Sequence, residues 1–192
     1  MGKHSRLRLV VVFTLATICA TDAQIVNWNT NGVIPMTEEI SPTSGGNFSN
    51  WNTSERSLEF ADFADQFLPD TLFRFSNLEN ARFDDANVSD SQFLGANLTG
   101  ATWTNANIVA ANFSQTQGFT ENDFRSTLSF QRGEIQQIGL DDNDLSGWDF
   151  SDLNLFEAQF FQSTLAGATF SNATLQNATF FRAVLDLSLI HI

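Results

Sequence analysis

From Leu58 onward an apolar residue returns at every fifth position. The series is Leu58, Phe63, Leu68, Phe73, Leu78, Phe83, Val88, Phe93, Leu98, Trp103, Ile108 and Phe113, 12 positions without a miss. Two residues before each member, from Phe63 on, stands a mostly small one: Ala61, Thr71, Ser76, Ala81, Ala86, Ser91, Ala96, Ala101, Ala106 and Ala111, with Gln66 the larger exception. Asn87, Asn97, Asn107 and Asn112 fill the position between. Gly118 breaks the run. A second series starts at Phe130 and continues through Ile135, Leu140, Leu145, Phe150, Leu155, Phe160, Leu165, Phe170, Leu175, Phe180 and Leu185. Its small partner is clear from Ala158 on (Ser163, Ala168, Ala173, Ala178, Ala183), whereas Ile138, Trp148 and Leu153 hold that slot earlier.

A period of five suits neither a helix nor a strand, whose side chains repeat every 3.6 and 2 residues. Five residues advance a helix by about 500°, which would scatter the apolar positions around it. The chain must instead turn a corner once per quintet. The apolar residue and its small partner then point inward. The other three, mainly Asn, Thr, Ser, Gln, Asp and Gly, face water.

The quintet Ala96-Asn97-Leu98-Thr99-Gly100 and its neighbours resemble the pentapeptide-repeat family, over about 58–186. That resemblance implies an all-β fold, a right-handed quadrilateral β-helix with four quintets to a coil. Residues 20 apart would then stack, which places Phe63, Phe83 and Trp103 on one wall and Phe73, Phe93 and Phe113 on the opposite one. Leu68, Val88 and Ile108 take the third wall, and Leu78 and Leu98 the fourth. Stacked aromatic rings can lie offset and parallel, a favoured arrangement.

Between Phe113 and Phe130 the two series slip out of phase. Thr120, followed by Glu121 and Asp123, reads as a helix N-cap with acids in the first turn. A short helix near 120–126 is expected there, packed down by Phe119 and Phe124. This stretch, with Ser126-Thr127-Leu128-Ser129-Phe130-Gln131 and Asn143-Asp144-Leu145-Ser146-Gly147-Trp148-Asp149-Phe150, is similar to a block found in secreted bacterial pentapeptide-repeat proteins. The organisation expected is a repeat domain at 58–186, made of a first block at 58–117, an interruption at 118–129 and a second block at 130–186. Residues 24–57 lack the period and read as an irregular linker and N-terminal cap, with Trp28 or Trp51 covering the first coil.

The chain opens with Lys3, Arg6 and Arg8, an apolar run from Leu9 to Ala20, and Thr21-Asp22-Ala23. That is the pattern of a secretory signal peptide, 1–23, and the run is too short to span a bilayer. The protein is therefore expected to be exported, to the cell surface, the periplasm or the medium. The last six residues, Leu187-Ser188-Leu189-Ile190-His191-Ile192, resemble the translation of a sequencing-library transposon end. They are expected to be a non-native tail on a C-terminally truncated sequence, the natural chain continuing past them.

Composition narrows the chemistry. After removal of the leader, 6 arginines face 21 acids, with no Cys, Lys or Tyr and a single His at 191. Thiolate, Schiff-base and zinc chemistry lack their residues. Direct nucleic-acid binding needs a basic face and finds an acidic one. Asp141, Asp142, Asp144 and Asp149 crowd together in sequence, and Asp142-x-Asp144-x-Ser146-Gly147 resembles the start of a calcium loop, but Leu153 stands where the closing acid belongs. The triplets Asn87-Val88-Ser89 and Asn97-Leu98-Thr99 match glycosylation acceptors, and the repeat itself generates them. No catalytic, cofactor or metal residue is assigned. The expectation is a non-catalytic structural or protein-interaction scaffold for an unknown protein or cell-surface partner, with end-to-end self-association as a further mode. Two alternatives are an acidic-cluster hydrolase or calcium module, and, from the resemblance, a DNA mimic that binds a protein such as gyrase.

Overall fold

A computed structural model describes residues 25–34, 45–53 and 56–185. The expected leader and the terminal hexapeptide lie outside the described residues. Regular elements are few. β1 (Val26–Asn27) and β2 (Gly32–Val33) form an antiparallel hairpin, α1 (Glu121–Ser126) and α2 (Leu128–Gln131) interrupt the repeat, and β3 (Thr164–Leu165) pairs in parallel with β4 (Val184–Leu185).

The rest is a ladder of parallel bridges between residues 20 apart: Asp62 with Arg82, Phe67 with Asn87, Leu72 with Gln92, Asn77 with Asn97, and so on to Asn97 with Gln117. Four sides of five residues therefore close one coil. The same spacing resumes at Glu134 with Asn154 and runs to Gln159 with Thr179. Each side joins both neighbours: the Asn97 N–H donates to the Ser76 carbonyl at 3.0 Å, and the Leu98 N–H to the Gln117 carbonyl at 2.7 Å. The paired stretch is short because the chain turns at once. The Ala81 N–H reaches back to the Leu78 carbonyl at 3.0 Å, with Asn80 held at φ 57° in the third place of the turn. Positive φ there favours Gly and Asn, and Asp tolerates it. Asp65, Asp70, Asp85, Asp90, Asn105, Gly95 and Gly100 occupy such corners. About a third of the acids, seven of 22, thus sit at described corners.

All 12 apolar residues of the first series are buried. Their rings form the expected columns. Phe63 stacks on Phe83 at 5.1 Å and Phe83 on Trp103 at 4.4 Å, while Phe73, Phe93 and Phe113 stack at 5.0 Å. The columns meet edge to face, Phe73 against Phe83 at 85° and Phe83 against Phe93 at 88°. Rings ten residues apart sit half a coil apart along the axis, so each edge enters the gap between two faces of the facing column. That interleaving lets aromatic walls oppose each other without overfilling the interior.

The interruption lengthens one coil, so that Asn112 pairs with Gly139, 27 residues on. Thr120 caps α1 in a reciprocal capping box with Asp123. The single helix expected here is in fact two. Thr127, in extended conformation, ends α1, and its hydroxyl restarts the chain as α2 by accepting from the Phe130 N–H at 3.1 Å. Phe130, expected as the first inward residue of the second series, is accordingly not part of a coil. It lies half-buried on α2, edge-on to Phe124 at 5.2 Å, and the fully buried Phe124 reaches Phe150 at 5.7 Å. Phe119 stacks on Phe113 at 4.2 Å and lengthens that column. Ile138, Trp148 and Leu153 are buried despite their size. Trp148 finds room against Phe119 and Phe124 of the interruption.

At the other end, Phe48 stacks on Phe73 at 5.4 Å, and Asn47 pairs with Leu72. Phe48 is in phase with the period, yet it caps the column one side further on. The antiparallel bridge between Asn52 and Ser57 loops out one quintet and shifts the stack by a side. Trp51 is buried edge-on to Phe48. Trp28 lies instead on an outer corner, 39% exposed, its Nε1 donating to the Asn80 carbonyl at 2.8 Å.

Candidate functional surface

With the interior filled by its own side chains, any chemistry available to a ligand sits on the outer walls and corners. Of the four acids that crowd in sequence, Asp141 and Asp142 share one turn, while Asp144 and Asp149 lie on later sides. Asp141 is half-buried, and its Oδ1 accepts from the Phe161 N–H at 2.6 Å. Burial pushes its carboxyl above the usual range, against the lowering pull of that hydrogen bond, and the neighbouring Asp142 charge adds to the rise. Asp142 holds two amides, Gln115 Nε2 at 3.0 Å and Gln162 Nε2 at 2.9 Å. Asp144 turns back on Ser146, whose hydroxyl and N–H lower its pKa. Asp149 accepts from the Thr169 hydroxyl at 2.6 Å, which with Ser151 and the Arg125 charge brings it to about 2. Among the described residues no group of three or more His, Cys, Asp or Glu side chains could hold a metal ion.

The asparagines of the repeat make local contacts. Asn87 Oδ1 accepts from the Ser89 N–H at 3.1 Å and from Asn107 Nδ2 at 3.2 Å. Asn97 Oδ1 accepts from Thr99 in the same way, and Asn97 Nδ2 donates to Asn77 Oδ1 at 3.1 Å. These side chains close turns and link coils. One tie was not visible in the sequence. Arg125 on α1 bridges Glu121 at 3.3 Å and Asp149 at 3.6 Å, so the interruption is pinned to the coil that follows. Only the i, i+4 spacing of Glu121 and Arg125 hinted at it.

Residues 89–117 and 154–186 match the family model for pentapeptide repeats, in 8 copies. The chain carries pentapeptide repeats over those residues. No curated protein matches it. Solved structures similar to the repeat protein include a trypsin-treated variant of QnrB1, described as a plasmid-mediated fluoroquinolone resistance protein. It is 15% identical, with 76% of this chain and 74% of that one covered and a TM-score of 0.35. HetL, involved in the regulation of heterocyst differentiation in the cyanobacterium Nostoc, is 18% identical over 73% of this chain and 60% of its own, with a TM-score of 0.29. A pentapeptide-repeat protein of the Arabidopsis thaliana thylakoid lumen is 19% identical over 75% and 71%, with a TM-score of 0.23. Among the described residues of the repeat protein no helix is long and apolar enough to cross a membrane.

Proposed function

We propose that the repeat protein is an exported, non-catalytic scaffold that offers its acidic corners to a protein or cell-surface partner, on a right-handed coil. The observation that carries this reading is the stacking of carboxylates on the outside of a filled tube. Asp65 stands over Asp85 and Asp70 over Asp90, one coil apart at adjacent corners. The basic leader and apolar run support export. Residues 24–57 act in this reading as linker and N-terminal cap, and 58–186 as the presenting domain. The test is fractionation of tagged full-length protein followed by crosslinking in whole cells. The expected result is an exported pool crosslinked to one partner, lost in the quadruple Asp→Asn variant at residues 65, 70, 85 and 90. Crosslinking unchanged in that variant would refute the role of the corners.

The same carboxylate columns favour a second reading, mimicry of DNA toward a DNA-binding protein such as gyrase. It requires a cytoplasmic pool. Fractionation that finds the leader intact and the protein inside would transfer the argument to that reading.

Self-association would use the last described coil. Leu175 and Phe180 are only partly buried there and Leu185 is 50% exposed. End-to-end pairing would cover them. Sedimentation of the purified chain is expected to show a dimer that Leu185→Asp converts to monomer.

A further inference from the structure

We propose that the wall carrying Asn77 and Asn97 is a binding site for a neutral saccharide. This site is independent of the acidic corners, and its failure would leave the scaffold reading untouched.

The wall runs between the corner of Phe75 and Gly95 and the corner of Asn80 and Gly100. A concavity of about 270 Å³ opens on it, lined by Asn52, Phe75, Ser76, Asn77, Gly95 and Asn97. None of the six is charged, in a chain with 22 acidic residues. The site therefore has nothing to attract a cation and no base to hold an anion.

Phe75 is the unusual member. It sits at φ 56°, a conformation that costs a bulky residue more than the Asp, Asn or Gly found at most corners. It is also 45% exposed, so burial does not explain its presence. Gly95 lies against the Cδ1–Cε1 edge of the ring. A Cβ there would come within 2.5 Å of the ring carbon Cδ1. Glycine thus lets the ring settle against the coil while it stays 45% exposed.

Beside the ring runs a short amide ladder. Asn97 Nδ2 donates to Asn77 Oδ1 at 3.1 Å, and Asn77 Nδ2 donates to Ser57 Oγ at 3.1 Å. A primary amide has two N–H donors. Each asparagine spends one within the ladder and keeps one for a ligand. A flat apolar face next to uncharged donors complements a pyranose ring, which has an apolar C–H face and a rim of hydroxyls. The depression is shallow, with Phe75 at its border, and an aromatic group beside a few placed polar groups is a recurring element of small-ligand recognition.

The test is a nuclear magnetic resonance titration of the ¹⁵N-labelled full chain with chitohexaose, cellohexaose and maltohexaose. At least one is expected to give saturable shifts at the side-chain amides of Asn77 and Asn97. Phe75→Ala is expected to weaken that binding about tenfold or more, and Gly95→Ala to do the same by displacing the ring. Phe67→Ala, which removes a 64% exposed ring from a different wall, is expected to leave it unchanged. If Phe75→Ala fails to fold, Phe75→Leu keeps the bulk and removes the flat face, and the same loss is expected. The proposal is overturned by the absence of saturable shifts with all three sugars up to about 10 mM, a concentration that would reveal millimolar affinity. It is equally overturned by binding that survives loss of the ring, by shifts confined to another wall, or by shifts at Asn77 and Asn97 produced only by a neutral peptide such as hexaglycine.

Discussion

The two ends of the ladder carry the same sequence pattern and differ in burial. At the N-terminal end Phe48 seals the column above Phe73, the hairpin β1–β2 pairs Asn27 with Ala61, and Leu58 and Phe63 are wholly buried. At the far end Phe170 is nearly buried, Phe180 is partly so, and Leu185 stands half in water. A quintet decides which way a side chain points. It does not decide whether the side chain is covered, because cover comes from the next coil. The apolar core of a stack is therefore a property of neighbours, as in other repeat architectures, where terminal units need a cap.

The largest effect expected from this contrast is in the rings. Phe93 stacks between Phe73 and Phe113 and meets Phe83 and Trp103 edge-on. Phe93→Ala should lose about 3–5 kcal/mol, the usual range for a buried aromatic truncation. Phe180→Ala, only partly buried in the last described coil, should lose less, about 1–2 kcal/mol, since part of its surface is already exposed. Urea denaturation of both variants measures the pair. Equal losses would mean that the far end is covered in solution, and the contrast would fail.

The glycines give the same contrast with a smaller effect. At Gly118, φ is 78° and a Cβ would sit 2.4 Å from the Thr99 Cα, so the backbone of the preceding coil blocks any side chain. At Gly147, φ is 76° but nothing lies within 4 Å. Gly147→Ala should cost about 1 kcal/mol of left-handed strain, and Gly118→Ala at least about twice that, because coils must also separate. Thermal melts of the two variants read the difference directly.

Most of the fold was legible because inward direction repeats without exception from Leu58 to Phe113. The departures have identifiable causes. Phe48 kept the phase but changed columns, since a looped-out quintet moves the stack without breaking the period. Phe130 kept the phase and was not in the ladder at all, because a helix can coincide with a multiple of five. The four-residue α2 left no period to read, and its cap, Thr127, looked like one more hydroxyl in a polar stretch. On the surface, nearness in sequence misled. Asp141 and Asp149 are eight residues apart, and a chain that turns every five places them on different sides. Phe75 drew no notice, because a period marks inner positions and says nothing of an aromatic on the outside.

The interruption sharpens the comparison in another way, as a piece of structure held by caps rather than by coils on both sides. Thr120 and Asp123 satisfy each other, with the Thr120 N–H donating to Asp123 Oδ2 at 2.8 Å. Thr120→Ala should cost about 1 kcal/mol, the typical value for an N-cap. Hydrogen exchange should place the loss in α1 and leave the Asp62–Arg82 rung unchanged. A loss spread evenly over all coils would show that the interruption, like the rings, is part of one cooperative unit.

The smallest effect separates two carboxylates of the second block by sign. Asp149 is held at about 2 when folded, chiefly by the Thr169 hydroxyl. Its contribution to stability is present above the unfolded value of roughly 3.9 and is lost as pH falls toward 2. The group is largely exposed, so that contribution should stay below about 1 kcal/mol. Asp141 runs the other way. Burial raises its folded pKa, so its ionisation weakens the fold at neutral pH, and the penalty fades as the pH drops through that raised value. Asp149→Asn should therefore lower the urea midpoint at pH 6, with the difference vanishing near pH 2. Asp141→Asn keeps an oxygen for the Phe161 N–H. It should raise the midpoint at pH 6, with the difference vanishing as the acid of the parent chain protonates. Two asparagine substitutions of equal size and opposite outcome would show that the corner separates their environments. Shifts of the same sign would show that the pair behaves as one acidic patch.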